Sequence, residues 1–175
     1  MSEVMNSLLT RRSVRKYEDR PVEEEKLNEV IKAGLYAASG GGRQSSIIIA
    51  VTDREMVKKL SAMNAAVLGK EGIDPFYGAH AVLIVLAGKN AHTGVEDGSL
   101  TLGNMMLAAY DLGLGSCWIH RAKEMFESEE GKKILKDLGV EDEYTGIGNL
   151  IIGYPAEGAV GEAAERKDGR VFWIR

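Results

Sequence analysis

Four cations stand within six residues at Arg11-Arg12-Ser13-Val14-Arg15-Lys16, with no acid between Thr10 and Tyr17. Arginine donors fork onto phosphate oxygens, and a hydroxyl such as that of Ser13 or a backbone N–H completes the shell. The plain alternative is a solvated surface turn, the usual fate of a charge run. A second stretch, Ala38-Ser39-Gly40-Gly41-Gly42-Arg43-Gln44-Ser45-Ser46, directly precedes an apolar run. Its glycines let the backbone approach a flat ligand, and the Gln44 amide can both donate and accept. A helix C-cap followed by a flexible loop is the alternative there. A third stretch, Leu112-Gly113-Leu114-Gly115-Ser116-Cys117-Trp118-Ile119-His120, follows a helical pattern rather than a strand. A dinucleotide fingerprint needs G-x-G-x-x-G between strand and helix. Trp118 stands where the third glycine belongs, so a Rossmann reading is rejected. Neither a G-x-x-x-x-G-K-[ST] phosphate loop nor a G-x-S-x-G nucleophile elbow occurs.

Other reactive residue types are sparse. Cys117 is the only cysteine, which excludes an intrachain disulfide and a cysteine-based metal cage. Its ordinary reading is a small buried hydrophobe rather than a nucleophile. His80, His92 and His120 form no i,i+4 ligand pair, so no metal site is expected. His120 reads first as structural or surface, and Asp97 as the charge or cap opening a helix. Net charge is −4 and the pI is near 5.5. An acidic chain is a poor candidate for a broad nucleic-acid surface. The longest apolar stretch, Ala81–Ala87, is far short of the roughly 20 residues that span a bilayer, and Met1–Thr10 lacks a signal-peptide pattern. No membrane or nucleic-acid partner is expected, and a reducing, cytoplasmic setting is the default.

The elements that must position these residues follow from periodicity. Val4, Met5, Leu8 and Leu9 lie at helical spacing. Glu23–Ala38 reads as a helix with Leu27, Val30, Ile31 and Leu35 as its stripe and acids in its first turn. Gly40-Gly41-Gly42 ends it. Ile47–Thr52 and Ala79–Ala87 read as buried strands, Arg54–Asn64 as a helix. Gly98–Leu112 predicts a long helix with little charge on any face, for which a partner subunit is the easiest cover. Glu124–Leu138 reads as a more exposed helix, Asn149–Tyr154 as a third strand and Val171–Trp173 as a short terminal strand. Strands separated by helices predict an α/β or α+β domain, a central sheet flanked by helices, in an order the pattern does not reveal. No linker, repeat or low-complexity tract divides the 175 residues, a length that suits one core.

In this order the segments resemble the FMN-dependent nitroreductase family over nearly the whole chain. Arg11-Arg12-Ser13-Val14-Arg15-Lys16-Tyr17 is similar to an N-terminal R-x-S-x-R/K-x-F/Y motif that holds FMN phosphate and the pyrimidine edge of the ring. Arg11, Ser13 and Arg15 match it directly, and Arg12 fills the basic position between them. Ala38–Ser46 stands where the family has P-S-x-x-N-x-Q-P-W. Ser39 and Gln44 match, while Gly42, Ser45 and Ser46 replace the Asn, Pro and Trp. Asp97–Ala109 resembles the family's dimer-forming helix. Leu112–Ile119 and Ile152-Gly153-Tyr154-Pro155 are also family-like, and Arg166-Lys167 lies where C-terminal basic residues close over the phosphate.

The resemblance implies an α+β (α/β-like) fold with a central, mainly antiparallel sheet flanked by helices. It implies one FMN-binding domain over residues 1–175, acting as a homodimer with flavin sites at the interface. The cofactor-binding set would be Arg11, Arg12, Ser13, Arg15, Ser39, Gly42, Gln44, Trp118, Ile119, His120, Arg121, Arg166 and Lys167, with a backbone N–H of Ile119-His120-Arg121 at flavin N5. No protein acid or base is obligatory, since the flavin carries the chemistry. NAD(P)H is the implied co-substrate, and a nitroaromatic, quinone or similar small molecule the acceptor. An FMN-binding redox sensor or carrier, or a flavin-cleaving or dehalogenating relative, stays open. The short segment between Ile119 and Asn149 implies that a large substrate-covering lid is absent.

Overall fold

A computed structural model describes residues 2–140 and 143–175. The chain begins with α1 (Glu3–Thr10) and α2 (Glu24–Leu35), followed by a 3-10 turn over Gly40–Gly42. Then come β1 (Ser46–Val51), α3 (Arg54–Val67), β2 (Ala81–Gly88) and α4 (Gly94–Asp111). They are followed by β3 (Gly115–Ile119), α5 (Ala122–Glu127), α6 (Glu129–Asp137) and β4 (Tyr144–Gly153). The four strands form one antiparallel sheet in the order β1-β2-β4-β3. The expected antiparallel sheet flanked by helices is therefore present.

The alternation of β2 explains the layers. Ala81, Leu83, Val85 and Ala87 pack on one face with Leu27 and Val30 of α2 and Leu102, Met105 and Ala109 of α4. Val82, Ile84 and Leu86 pack on the other with Val57 and Leu60 of α3, Met125 and Phe126 of α5 and Leu135 of α6. A strand covered on both faces needs apolar residues at every position, and β2 is buried along nearly its whole length. Fully burying one such aliphatic side chain contributes roughly 1.5–3 kcal/mol.

Several elements differ from the sequence expectation. β3 lies inside the stretch read only as a post-helical glycine segment. Its five residues take strand form through register with β4, from Gly115↔Gly153 to Ile119↔Asn149. β4 begins at Tyr144 rather than Asn149, because a bulge at Ile147 interrupts its alternation against β2. The helix expected over Glu124–Leu138 is two helices. Ser128 turns extended between them (φ −69°, ψ 159°), and its hydroxyl caps α6 by accepting the Gly131 N–H at 3.1 Å. α2 stops at Leu35, α3 runs on to Val67, and α4 starts earlier than expected, at Gly94. Val171–Trp173 forms no strand; Phe172 and Trp173 stand 89% and 74% exposed. Among the described residues no helix is long and apolar enough to cross a membrane.

Candidate functional site

The basic segment is laid along the free edge of β3. The Val14 N–H donates to the Ser116 carbonyl at 3.0 Å, Ser13 bridges Ser116, and Tyr17 bridges Pro155 just past β4. Val14 is buried, so it pins the run while Ser13, Arg15 and Lys16 stay exposed. The Tyr17 hydroxyl donates to the Val14 carbonyl at 2.8 Å, and burial pushes its phenol well above the ordinary range. Arg12 Nη1 donates to the carbonyls of Leu9 (2.9 Å) and Arg11 (2.7 Å), closing the end of α1. Arg12, Ser13, Arg15 and Lys16 form one wall of a cleft of about 440 Å³, with Gly158, Ala159, Gly161 and Glu162 opposite. Arg11 Nη1 is buried with no hydrogen-bond partner among the described residues. A guanidinium nitrogen shielded from water and unpaired is an unmet demand for an anionic acceptor.

The end of β3 is the second component. Trp118 is half-buried, Ile119 buried and His120 exposed. Arg121 has a left-handed backbone (φ 77°) and places both Nε (3.0 Å) and Nη2 (2.9 Å) on Asn64 Oδ1. Two glycines of β4 allow this corner to pack closely. A Cβ at Gly146 would lie 2.2 Å from the Ala122 carbonyl oxygen, and one at Gly148 would lie 2.3 Å from Trp118 Nε1. Cys117 is buried in the layer beneath, as its plain reading required.

The third component, residues 39–45, is anchored by Asp97. This buried carboxylate accepts the Gly40 N–H (2.9 Å), the Ser45 hydroxyl (3.0 Å) and the Thr93 hydroxyl (3.2 Å). The Gly40 N–H, then the two hydroxyls, hold its carboxyl below the usual aspartate range. Asp97 is an acid in the first turn of α4, as its sequence reading expected, but it caps no backbone N–H of that helix. It is spent on the loop, because a buried carboxylate must find donors and the loop supplies them. Ser39 Oγ accepts the Gln44 N–H at 3.0 Å. Gly42 (φ 69°) and Gln44 (φ 51°) are left-handed, and Gly42 has open space where a Cβ would stand.

Within one chain the basic segment runs beside β3, but loop 39–45 lies apart from it. The basic segment joins the far end of α4, where Thr10 Oγ1 lies 2.8 Å from the Tyr110 hydroxyl. Loop 39–45 joins its near end at Asp97. Thirteen residues of helix separate those two contacts, roughly 20 Å at 1.5 Å per residue. Arg166 and Lys167 are exposed and make no hydrogen bond or ion pair among the described residues. A larger cleft of about 600 Å³, between α3 and residues 71–79, contains none of the expected cofactor-binding set.

Sequence reasoning missed Asn64 and Asn149, both fully buried behind the β3 corner. The signal for Asn64 was present. It continues the buried i, i+3, i+4, i+7 stripe Val57, Leu60, Ser61, Asn64, and an amide in such a stripe must be gripping something. The clamp joining α2 to the end of β4 was also missed. The Tyr154 hydroxyl and then Arg20 hold the Glu23 carboxyl down to about 2, and Lys26 donates to Tyr154 at 3.1 Å.

Comparison with known proteins agrees with this architecture. A family model described as the nitroreductase family matches residues 8–154. A protein of Archaeoglobus fulgidus, provisionally named an NADH dehydrogenase/NAD(P)H nitroreductase, is 32% identical over 163 residues, covering 90% of this chain and 88% of its own. An FMN reductase [NAD(P)H] of Bacillus subtilis is 29% identical over 186 residues, covering 90% of this chain and 68% of its own. Among solved structures, a Bacteroides fragilis nitroreductase with bound FMN superposes with a TM-score of 0.91 at 27% identity, covering 100% of both chains. The family model over most of the chain, the 32%-identical relative and the shared fold lead to one assignment: this chain belongs to the nitroreductase family.

Proposed function

We propose that this chain, as a single domain over residues 1–175, is an FMN-dependent NAD(P)H oxidoreductase. The observation that carries the reading is the buried, unpaired Arg11 Nη1 within the basic run. It asks for an anion such as the FMN phosphate, and relatives that bind FMN or are named FMN reductases supply the candidate. Bound there, FMN would accept hydride from NAD(P)H and hand the reducing equivalents to a nitroaromatic, quinone or similar acceptor. Arg11 and Arg12 would pair with the phosphate, and Ser13 would complete its shell. Arg15 would place positive charge at the ring edge where negative charge develops on reduction. Trp118, Ile119, His120 and Arg121 would line the ring through side chain and backbone. Arg166 and Lys167, on the exposed tail, would have to fold back to reach the phosphate. A buried free thiol at Cys117 suits a reducing, cytoplasmic setting.

The reading includes a homodimer, and the geometry of α4 supports it. Val95, Leu100, Gly103 and Leu107 lie on the face of α4 turned away from its packed side, with Val95 63% exposed. Leu8 and Leu9 of α1 are also exposed. Two copies of α4 packed antiparallel about a two-fold axis would set the Asp97 end of one beside the Tyr110 end of the other. Ser39, Gly42 and Gln44 of one protomer would then face the basic run of its partner, completing a site that one chain leaves divided.

The test is an absorption spectrum of purified protein, before and after FMN reconstitution, followed by anaerobic NADH or NADPH. Flavin bands that bleach support the oxidoreductase reading. Bands that persist unbleached favour an FMN-binding sensor or carrier. No bands after reconstitution would overturn the flavin assignment. Sedimentation of the same sample tests the dimer.

A further inference from the structure

The corner between β3 and α5 is held from beneath by two amides from distant parts of the chain. Asn64 Nδ2, on α3, donates to the His120 carbonyl at 2.7 Å. Asn149 Nδ2, on β4, reaches the same carbonyl at 3.4 Å and that of Ile119 at 3.3 Å. The other end of the Asn64 amide is used as well, since its Oδ1 accepts both Nε and Nη2 of Arg121. Arg121 therefore carries a left-handed backbone while its own side chain is tied back to the residue that grips the preceding carbonyl. A residue with a Cβ holds such a conformation only where its surroundings over-determine it.

The consequence follows from peptide geometry. The His120 carbonyl and the Arg121 N–H belong to one planar trans unit and point in opposite directions. Drawing the carbonyl into the core turns the N–H outward, and no backbone or side-chain acceptor among the described residues receives it. We propose that Asn64 is a positioning residue for this site: by gripping the His120 carbonyl and the Arg121 guanidinium together, it presents the Arg121 N–H as a fixed donor to the flavin ring. The inference rests on the FMN reading above and assigns a geometric cause to one of its three candidate backbone donors. It gives the Arg121 side chain a structural task, holding the corner, in place of an electrostatic one. Asn149 shares the carbonyl and steadies it from the sheet side.

The test uses the whole protein and four variants, Asn64→Leu, Asn64→Asp, Arg121→Ala and Arg121→Gly. FMN affinity is read by fluorescence quenching, the midpoint potential by dye equilibration, and the apoprotein's integrity by circular dichroism. Asn64→Leu and Arg121→Ala are expected to weaken FMN binding roughly tenfold, the scale of one lost hydrogen bond. A tenfold difference between oxidised and reduced flavin reads as about 30 mV for a two-electron couple, and a displacement of that size is expected. Asn64→Asp keeps the acceptor for Arg121 but loses the donor to His120, so it should also shift the potential. Arg121→Gly should recover most of the Arg121→Ala loss, because glycine takes the left-handed corner unaided. Equal losses in Arg121→Ala and Arg121→Gly would mean that the charge matters and the corner does not, overturning the proposal. So would unchanged affinity and potential in a folded Asn64→Leu protein. If Asn64→Leu fails to fold, the Arg121 pair decides alone. Wild-type protein that takes up no FMN overturns the flavin reading itself, and this proposal with it.

Discussion

The two outer strands of the sheet each end in a ligand-type segment, and they secure it by different physics. After β3, the corner at His120-Arg121 is gripped by neutral amides, Asn64 and Asn149, fully buried between α3 and β4. Before β1, loop 39–45 is gripped by one carboxylate, Asp97, accepting a backbone N–H and two hydroxyls. Neutral amides do not titrate, so the corner keeps its shape wherever the protein is folded. A carboxylate makes stronger hydrogen bonds but loses them when protonated. The first anchor suits a donor that must not move. The second holds loop 39–45 only while Asp97 stays ionised.

The largest effect is expected from filling the space under the corner. Gly146→Leu would drive a side chain into the Ala122 carbonyl 2.2 Å away, and backbone there cannot yield cheaply. A loss of about 3 kcal/mol or more is expected by urea denaturation, at or beyond the upper end of ordinary overpacking. An unchanged midpoint would mean that α5 is not seated on β4 as described.

Next comes Arg11→Ala. Removing a charge-assisted partner of the phosphate should weaken FMN binding by roughly 10- to 100-fold, measured by titration of apoprotein at fixed ionic strength. Arg11→Lys should restore only part, since a point charge lacks the guanidinium fork. Equal affinity in wild type and Arg11→Ala would remove the basis for the phosphate assignment.

Acid should separate the two anchors. The Asp97 carboxyl is held below its ordinary value in the folded protein. Its contribution is therefore complete above the unfolded value, about 3.9, and is lost as pH falls through the lower folded value. Asp97→Asn should melt below wild type at neutral pH, and the gap should narrow as pH drops below about 4. A gap that stays constant down to pH 3 would show that the charge is not what holds the loop. Glu23, held down to about 2 chiefly by the Tyr154 hydroxyl, loses its contribution as pH falls from its ordinary 4.5 to about 2, and Glu23→Gln isolates it.

The smallest stability effect tests the proposed dimer. Gly103 lies on the open face of α4, with nothing near its missing Cβ. Gly103→Val should change protomer stability by less than about 1 kcal/mol, the scale of helix propensity. If α4 packs on its own copy, the same change should weaken the dimer measurably in sedimentation equilibrium. A dimer of unchanged affinity would place the interface elsewhere.

Much of this was legible along the chain. The apolar β2 and the long, largely apolar body of α4 are local patterns, and each became the element expected. β3 was not legible. Five residues with glycine and serine at their start carry too little alternation to declare a strand, and only the ladder to β4 makes one. The terminal strand over Val171–Trp173 failed for the converse reason: β-branched and aromatic residues favour extended chain, but among the described residues no strand pairs with them.

The sequence alone determined which residues could be buried and where charge would gather, because period and composition belong to a segment and its nearest neighbours. It also determined the family, through several motifs in register. Tertiary structure alone decided what each polar side chain answers to. Asp97 looked like a helix opener and became the anchor of a loop some fifty residues away. Asn64 was one amide in an apolar stripe and became the clasp of Arg121. The separation of Ser39 and Gln44 from Arg11, set by the length of α4, was likewise invisible in one dimension. A buried polar group takes whichever partner folding brings within about 3 Å, and that partner is fixed by the path of the whole chain.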